Sequence, residues 1–124
     1  MAIEMVNWLE IPVTDMLRAR RFYEAVFSFA IVDMEVNGEI YPCFPDKNGN
    51  GFSGALVQYD FTSPGKKGPL VYLNAQEGVA LIAAKIKDAG GTIIKVPAEI
   101  ALGFGYFALF EDTEGNLLAL QGDK

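Results

Sequence analysis

The sequence predicts an α+β fold: two tandem βαβββ modules, about residues 4–60 and 69–123, forming a curved mixed sheet around a cavity with the helices outside. Three observations carry this. Residues 44–50 read FPDKNGN and residues 110–116 read FEDTEGN, so the frame Phe-x-Asp-x-x-Gly-Asn occurs twice. Two segments with the same helical spacing precede the two turns. Two similar strands, Ala55-Leu56-Val57-Gln58 and Leu118-Ala119-Leu120-Gln121, follow them.

Each element has a local reason. MVNWLEIPV (5–13) is a β-rich run and the first strand candidate. DMLRARRFYEAVF (15–27) places Ala19, Phe22, Tyr23 and Val26 on one helical face, with Asp15 as N-cap. FAIVDMEV (29–36) and EIYPCF (39–44) flank Asn37-Gly38, a strong hairpin signal. The first turn then leads to GALVQYD (54–60), with Gly51 to Ser53 as extra residues. FTSPGKKG (61–68) is polar and rich in breakers, and reads as the linker.

The second half repeats the order. PLVYLNA (69–75) is a strand. GVALIAAKIKDAG (78–90) sets Val79, Ile82, Ala83 and Ile86 on one face and stops at Gly90-Gly91. TIIKVPAEI (92–100), GYFALFED (105–112) and LLALQGD (117–123) complete the module. In both halves the Asp-x-x-Gly-Asn turn joins the third strand to the fourth, because Asp and Asn tolerate tight backbone geometry and Gly supplies positive φ.

Composition narrows the function. A chain of 124 residues suits one domain, and 51% apolar residues suffice for a core. The net charge of −6 without a basic cluster argues against nucleic acid. No run is long and apolar enough to span a membrane. The opening MAIEMVNW lacks the basic start and apolar centre of a secretory leader, and Cys43 is alone, which together predict a cytoplasmic protein. Cys43 reads as an inert, buried small hydrophobe.

Strand alternation nominates a ligand face. With Leu9 and Ile11 turned to the helix, Trp8 and Glu10 share the other side. The same rule, with Ala55 and Val57 against the helix, leaves Leu56 and Gln58 facing the cavity. With Leu118 and Leu120 against the helix, Leu117, Ala119 and Gln121 face it. Tyr41, Tyr59, Tyr72, Phe104 and Tyr106 are further aromatic candidates, whereas Phe22, Phe27 and Phe107 read as core. Aromatic walls with few polar groups suit a planar or apolar small molecule, and a carboxylate such as Glu10 over an aromatic floor favours a cation. Glu99 and GFG (103–105) read as a surface loop beside the cavity.

The opening WLEIPVTDMLRARRFYEAVF, the middle AGGTIIKVPAEI and the end GYFALFEDTEGNLLALQ resemble the vicinal oxygen chelate superfamily, which holds glyoxalases, bleomycin-resistance proteins and extradiol dioxygenases. The resemblance covers essentially the whole chain. For enzymatic members it implies a divalent metal held by His and Glu on the first and fourth strands of each module. Here those positions fall on Trp8, on Leu56 (or Gln58), on Leu70, Val71 or Tyr72, and on Ala119, and the chain has no His. The expectation is therefore a metal-free, cofactor-free small-molecule binding protein of the bleomycin-resistance type. Its ligand-binding residues would be Trp8, Glu10, Leu56, Gln58, Tyr72, Tyr106, Ala119 and Gln121. Alternatives are a lyase or dioxygenase of the same superfamily, either metal-dependent with unusual ligands or cofactor-free with Glu10 beside Gln58 or Gln121 for proton transfer, and a dimeric interaction domain without ligand chemistry. The resemblance also implies a homodimer, with Met1 to Met5 and Phe29 to Ile31 as candidate contacts.

Overall fold

The computed structural model describes residues 4–124. In the first module, β1 (Leu9–Pro12) leads to α1 (Met16–Phe27), then β2 (Val32–Val36), β3 (Glu39–Pro45) and β4 (Phe52–Val57). The second repeats this with β5 (Tyr72–Asn74), α2 (Val79–Asp88), β6 (Thr92–Glu99), β7 (Tyr106–Glu111) and β8 (Leu117–Gly122). Both sheets have equivalent orders, β1-β4-β3-β2 and β5-β8-β7-β6, with one parallel pair each (β1 with β4, β5 with β8). The α+β class and the two βαβββ modules thus hold. Within one chain the sheet is divided into two four-stranded halves and does not close.

The helices form where the apolar spacing placed them. Ala19, Phe22, Tyr23 and Val26 are the buried residues of α1, and Val79, Ile82, Ala83 and Ile86 those of α2. Asp15 caps α1 by accepting from Arg18 N–H at 3.1 Å, which satisfies an otherwise orphaned amide. Asn37 (φ 53°) and Gly38 (φ 82°) make the β2–β3 hairpin, both in the left-handed region that such a turn requires. The extra residues after the first turn do not stay in it. Phe52 and Ser53 already belong to β4, and a register shift at Phe44/Pro45 absorbs part of the surplus.

Each helix lies on one face of its own sheet, and α1 and α2 also touch each other. Their buried faces therefore merge into one core across the seam between modules. Phe22 reaches Phe110, with ring centroids 6.3 Å apart. Each fully buried side chain of this size contributes about 1.5–3 kcal/mol of hydrophobic stabilisation.

A polar lock crosses the same seam. Glu114 accepts from Thr14 N–H (2.9 Å), Asp15 N–H (2.8 Å) and Arg18 Nε (2.8 Å). Tyr23 donates its hydroxyl to Asp112 Oδ2 at 2.6 Å, and Asn116 Nδ2 donates to Pro12 O at 2.8 Å. Asp112, Glu114 and Asn116 are all buried. The 61–68 segment is tied to this turn as well, since Gly65 N–H donates to Asn116 Oδ1.

One expected dimer contact turns out internal. Ile31 is buried, and Phe29 stacks with Phe27 and Phe44, because this segment turns back over the end of α1. Of the other, Met1–Ile3 lie outside the described residues and Met5 is exposed.

Candidate functional site

The faces of the two sheets turned away from the helices carry the candidate site. On the first sheet, register sets Glu10 beside Ala55, and Ala55 beside Cys43. Ala55, Val57 and Cys43 form a small second apolar cluster with Tyr41, Phe52 and Tyr59. Trp8 stands outside the main core and is 43% exposed. Trp8, Glu10, Met34, Tyr41, Phe52 and Tyr59 line one shallow pocket here.

Glu10 is the centre of that pocket's polar chemistry. Trp8 Nε1–H donates to Glu10 Oε2 at 3.2 Å, and the Tyr59 hydroxyl donates to the same oxygen at 3.0 Å. Burial, the hydrogen bond to Glu10 and that carboxylate's charge push the Tyr59 hydroxyl well above its ordinary pKa. Tyr59 therefore stays a donor across the physiological range. Phe61 stacks on Tyr59 with centroids 4.8 Å apart, which broadens the aromatic rim. Tyr59 was one aromatic candidate among several in the sequence. Its partnership with Glu10 spans 49 positions, so no local signal distinguished it.

Two residues expected on this face are elsewhere. Leu56 lies in the core on the helix side, opposite Ile11. Gln58 follows the strand and donates Nε2–H to Thr14 O at 3.1 Å, also at the helix side. The reason is that β4 lies between β1 and β3 and is buried on both faces over Gly54–Val57. Such a strand is apolar throughout, so alternation carries no phase. Glu10 and Gln58 are thus on opposite faces and form no acid–amide pair.

On the second sheet, Tyr72 pairs with Ala119, and Asn74 with Gln121, on the face away from α2. Gln121 donates Nε2–H to Phe104 O at 3.3 Å. Tyr72 and Gln121 line a second shallow pocket, separate from that of Trp8 and Glu10. Tyr106 shares its strand parity with Ala108 and Phe110, which are in the core, so it belongs to the α2 side. There it borders a surface pocket with Glu99, Ile100 and Gly103. Its neighbour Phe107, expected in the core, takes the open face, with Lys95 Nζ 5.7 Å from its ring centroid. The GYFALF run has apolar residues on both parities, which hid the phase.

The donor set does not fit a divalent metal. The indole nitrogen of Trp8 carries the hydrogen it gives to Glu10, and Ala119 has no donor atom. With the register corrected, Ala55 and Val57 stand on the open face where a ligand from β4 would be needed. No group of three or more His, Cys, Asp or Glu converges among the described residues.

The sequence model of the Glyoxalase/Bleomycin resistance protein/Dioxygenase superfamily matches residues 5–120. The chain belongs to this superfamily. It is similar to the crystal structure of TnmS3, an antibiotic binding protein from Streptomyces sp. CB03234, with TM-score 0.73 and 25% identity over 100% of this chain and 99% of that one. A glyoxalase/bleomycin resistance protein from the same Streptomyces gives TM-score 0.68 and 25% identity over 92% of this chain and 96% of that one. A glyoxylase-like domain-containing protein of Didymella fabae is 29% identical, covering 93% of this chain and 91% of its own length. No helix among the described residues is long and apolar enough to cross a membrane.

Proposed function

We propose that this superfamily member is a metal-free binding protein for a small aromatic molecule, preferably cationic. Its site lies on the open sheet faces and is completed by a second copy of the chain. One observation carries the reading: Glu10 is fixed by Trp8 and Tyr59 on an exposed aromatic face. A carboxylate so placed attracts positive charge, while the rings stack on a flat ligand. The likeness to an antibiotic binding protein supports a small-molecule ligand.

The two half-sites support the second copy. Within one chain, Trp8 with Glu10 and Tyr72 with Gln121 line separate, shallow pockets. Val36 and Tyr72 are exposed on these open faces, at 49% and 50%. Laying the first sheet of one copy against the second sheet of another covers such residues and encloses a ligand between the halves.

Trp8 is the only tryptophan, so its emission reports on the site. Titration with a flat aromatic cation such as N-methylquinolinium should change that emission. The Trp8→Ala protein should bind the cation more weakly by about 1–3 kcal/mol. Glu10→Gln should weaken the cation more than its neutral analogue quinoline. Light scattering should give twice the 13.5 kDa of one chain. An unchanged emission together with equal affinity of wild type and Trp8→Ala would overturn the reading.

A further inference from the structure

The seam between modules is filled on one side and open on the other, and the geometry points to the open side as a second binding site, for an aromatic molecule bearing a hydroxyl donor. The cleft measures about 440 Å3 and lies on the helix side, away from the Trp8 pocket. That volume falls within the usual range for small-molecule sites, about 300–1,000 Å3.

The argument comes from the repeat. At the second turn, Asp112 Oδ1 accepts from Glu114 N–H and Asn116 N–H, both at 2.9 Å. At the first turn, Asp46 Oδ1 accepts from Asn48 N–H (3.0 Å) and Asn50 N–H (3.2 Å). The two turns are built alike to this point. They differ at the other carboxylate oxygen. Asp112 Oδ2 accepts the Tyr23 hydroxyl, whose ring comes from α1 of the opposite module. Asp46 Oδ2 accepts no hydrogen bond among the described residues. In α2, the residue matching Tyr23 on the helical face is Ala83, which has neither ring nor hydroxyl.

The cleft lies beside that position, since Ile82, the neighbour of Ala83 on α2, lines it together with Asp46. Its mouth is flanked by Asp46 and Lys47 of the first turn and by Gln76 and Glu77 just before α2. No hydrogen bond joins these two segments among the described residues. One wall is aromatic: Phe29 lies 6.0 Å from Phe27 and 5.8 Å from Phe44, and Tyr23 lies 6.1 Å from Phe27 and 6.0 Å from Phe44. Leu9, Ile11, Leu73 and Ile82 complete the apolar lining. A ligand with a flat apolar body and one hydroxyl reproduces at Asp46 what Tyr23 does at Asp112.

The test uses 2-naphthol, with 2-methoxynaphthalene as the control that cannot donate, on the full chain with labelled methyl groups. Binding of 2-naphthol should shift the Leu73 and Ile82 methyl resonances and leave those of Ala55 and Val57, on the opposite face of the first sheet, in place. The methoxy compound should bind about tenfold more weakly, as should 2-naphthol to Asp46→Asn, which keeps an oxygen for the turn amides but loses the second acceptor. Leu73→Phe, which fills the cleft from β5, should abolish the shifts at Ile82. Shifts confined to Ala55 and Val57, equal affinity for the two compounds, or undiminished binding by either variant would overturn the inference. Trp8 emission reads the sheet-face site separately, so the two proposals fail independently.

Discussion

FPDKNGN and FEDTEGN have the same frame, the same place between third and fourth strands, and the same Asp bonding two amides ahead in its turn. Their surroundings are opposite. The first turn is exposed from Lys47 to Asn50, whereas Asp112, Glu114 and Asn116 of the second are buried against the other module. A turn motif therefore fixes local backbone geometry and leaves the role of its variable residues open. Where the first copy has Asn48, the second has Glu114, and that carboxylate holds the modules together.

The electrostatics follow. Burial alone would raise the Glu114 pKa, but hydrogen bonds from Arg18, from Asp15 and Thr14 N–H and from the Thr113 hydroxyl outweigh it and lower the pKa to about 2. Neutral Asn48 has no comparable charge to lose.

The largest contrast should come from truncating these equivalent positions. Glu114→Ala breaks the network that ties Arg18 and two backbone amides to a buried carboxylate, and should cost at least about 1.5–3 kcal/mol in urea denaturation, the range for hydrogen bonds to charged groups. Asn48→Ala, on the exposed turn, should stay within about 0.5 kcal/mol. Equal losses would break the comparison. Next comes Tyr23→Phe, which keeps the ring and removes the bond to Asp112. It should cost about 1.5–3 kcal/mol, the range for hydrogen bonds to charged groups.

The shared part of the motif should respond equally in both copies. Gly49 has φ 72° and Gly115 φ 97°, and a Cβ added at either meets nothing within 4 Å. Each Gly→Ala change should therefore cost about 1 kcal/mol, through backbone strain alone. A much larger loss at Gly115 would mean that the buried surroundings reshape the turn itself.

Acid titration sharpens the contrast further. Because the folded pKa of Glu114 is depressed, its contribution is complete above the ordinary carboxylate value of 4.5 and is lost as pH falls toward about 2. Wild type should lose stability across that window, and Glu114→Gln should flatten the part of the loss due to this residue. Asn48→Asp should leave the acid limb unchanged.

Much of this organisation was legible in the sequence. The spacing of Phe22 and Tyr23 on α1, and of Ile82 and Ala83 on α2, gave the buried helix faces because a half-buried helix must segregate its apolar residues. Alternation along β1 and β8 likewise put Trp8 and Glu10, and Ala119 and Gln121, on the faces turned away from the helices, whereas the register of β5 at Tyr72 was open in the sequence. Leu56, Gln58 and Tyr106 did not face the cavity, because β4 and β7 carry apolar residues on both parities and so hide the phase. The seam was illegible for another cause. Asp112, Glu114 and Asn116 are residue types that normally favour water, and only partners about a hundred positions away explain their burial. The one hint was the mismatch of Tyr23 with Ala83 at equivalent helix positions.

The unequal duty of the two turns can be read directly in the unaltered protein by native-state hydrogen exchange. The Thr14 and Asp15 amides donate to Glu114 across the seam, while the Asn48 and Asn50 amides donate to Asp46 within the first turn. If the second turn locks the modules, Thr14 and Asp15 exchange only through an opening close in free energy to global unfolding. Asn48 and Asn50, on the exposed turn, should exchange through local fraying, orders of magnitude faster. Similar protection at the two pairs of amides would contradict the account.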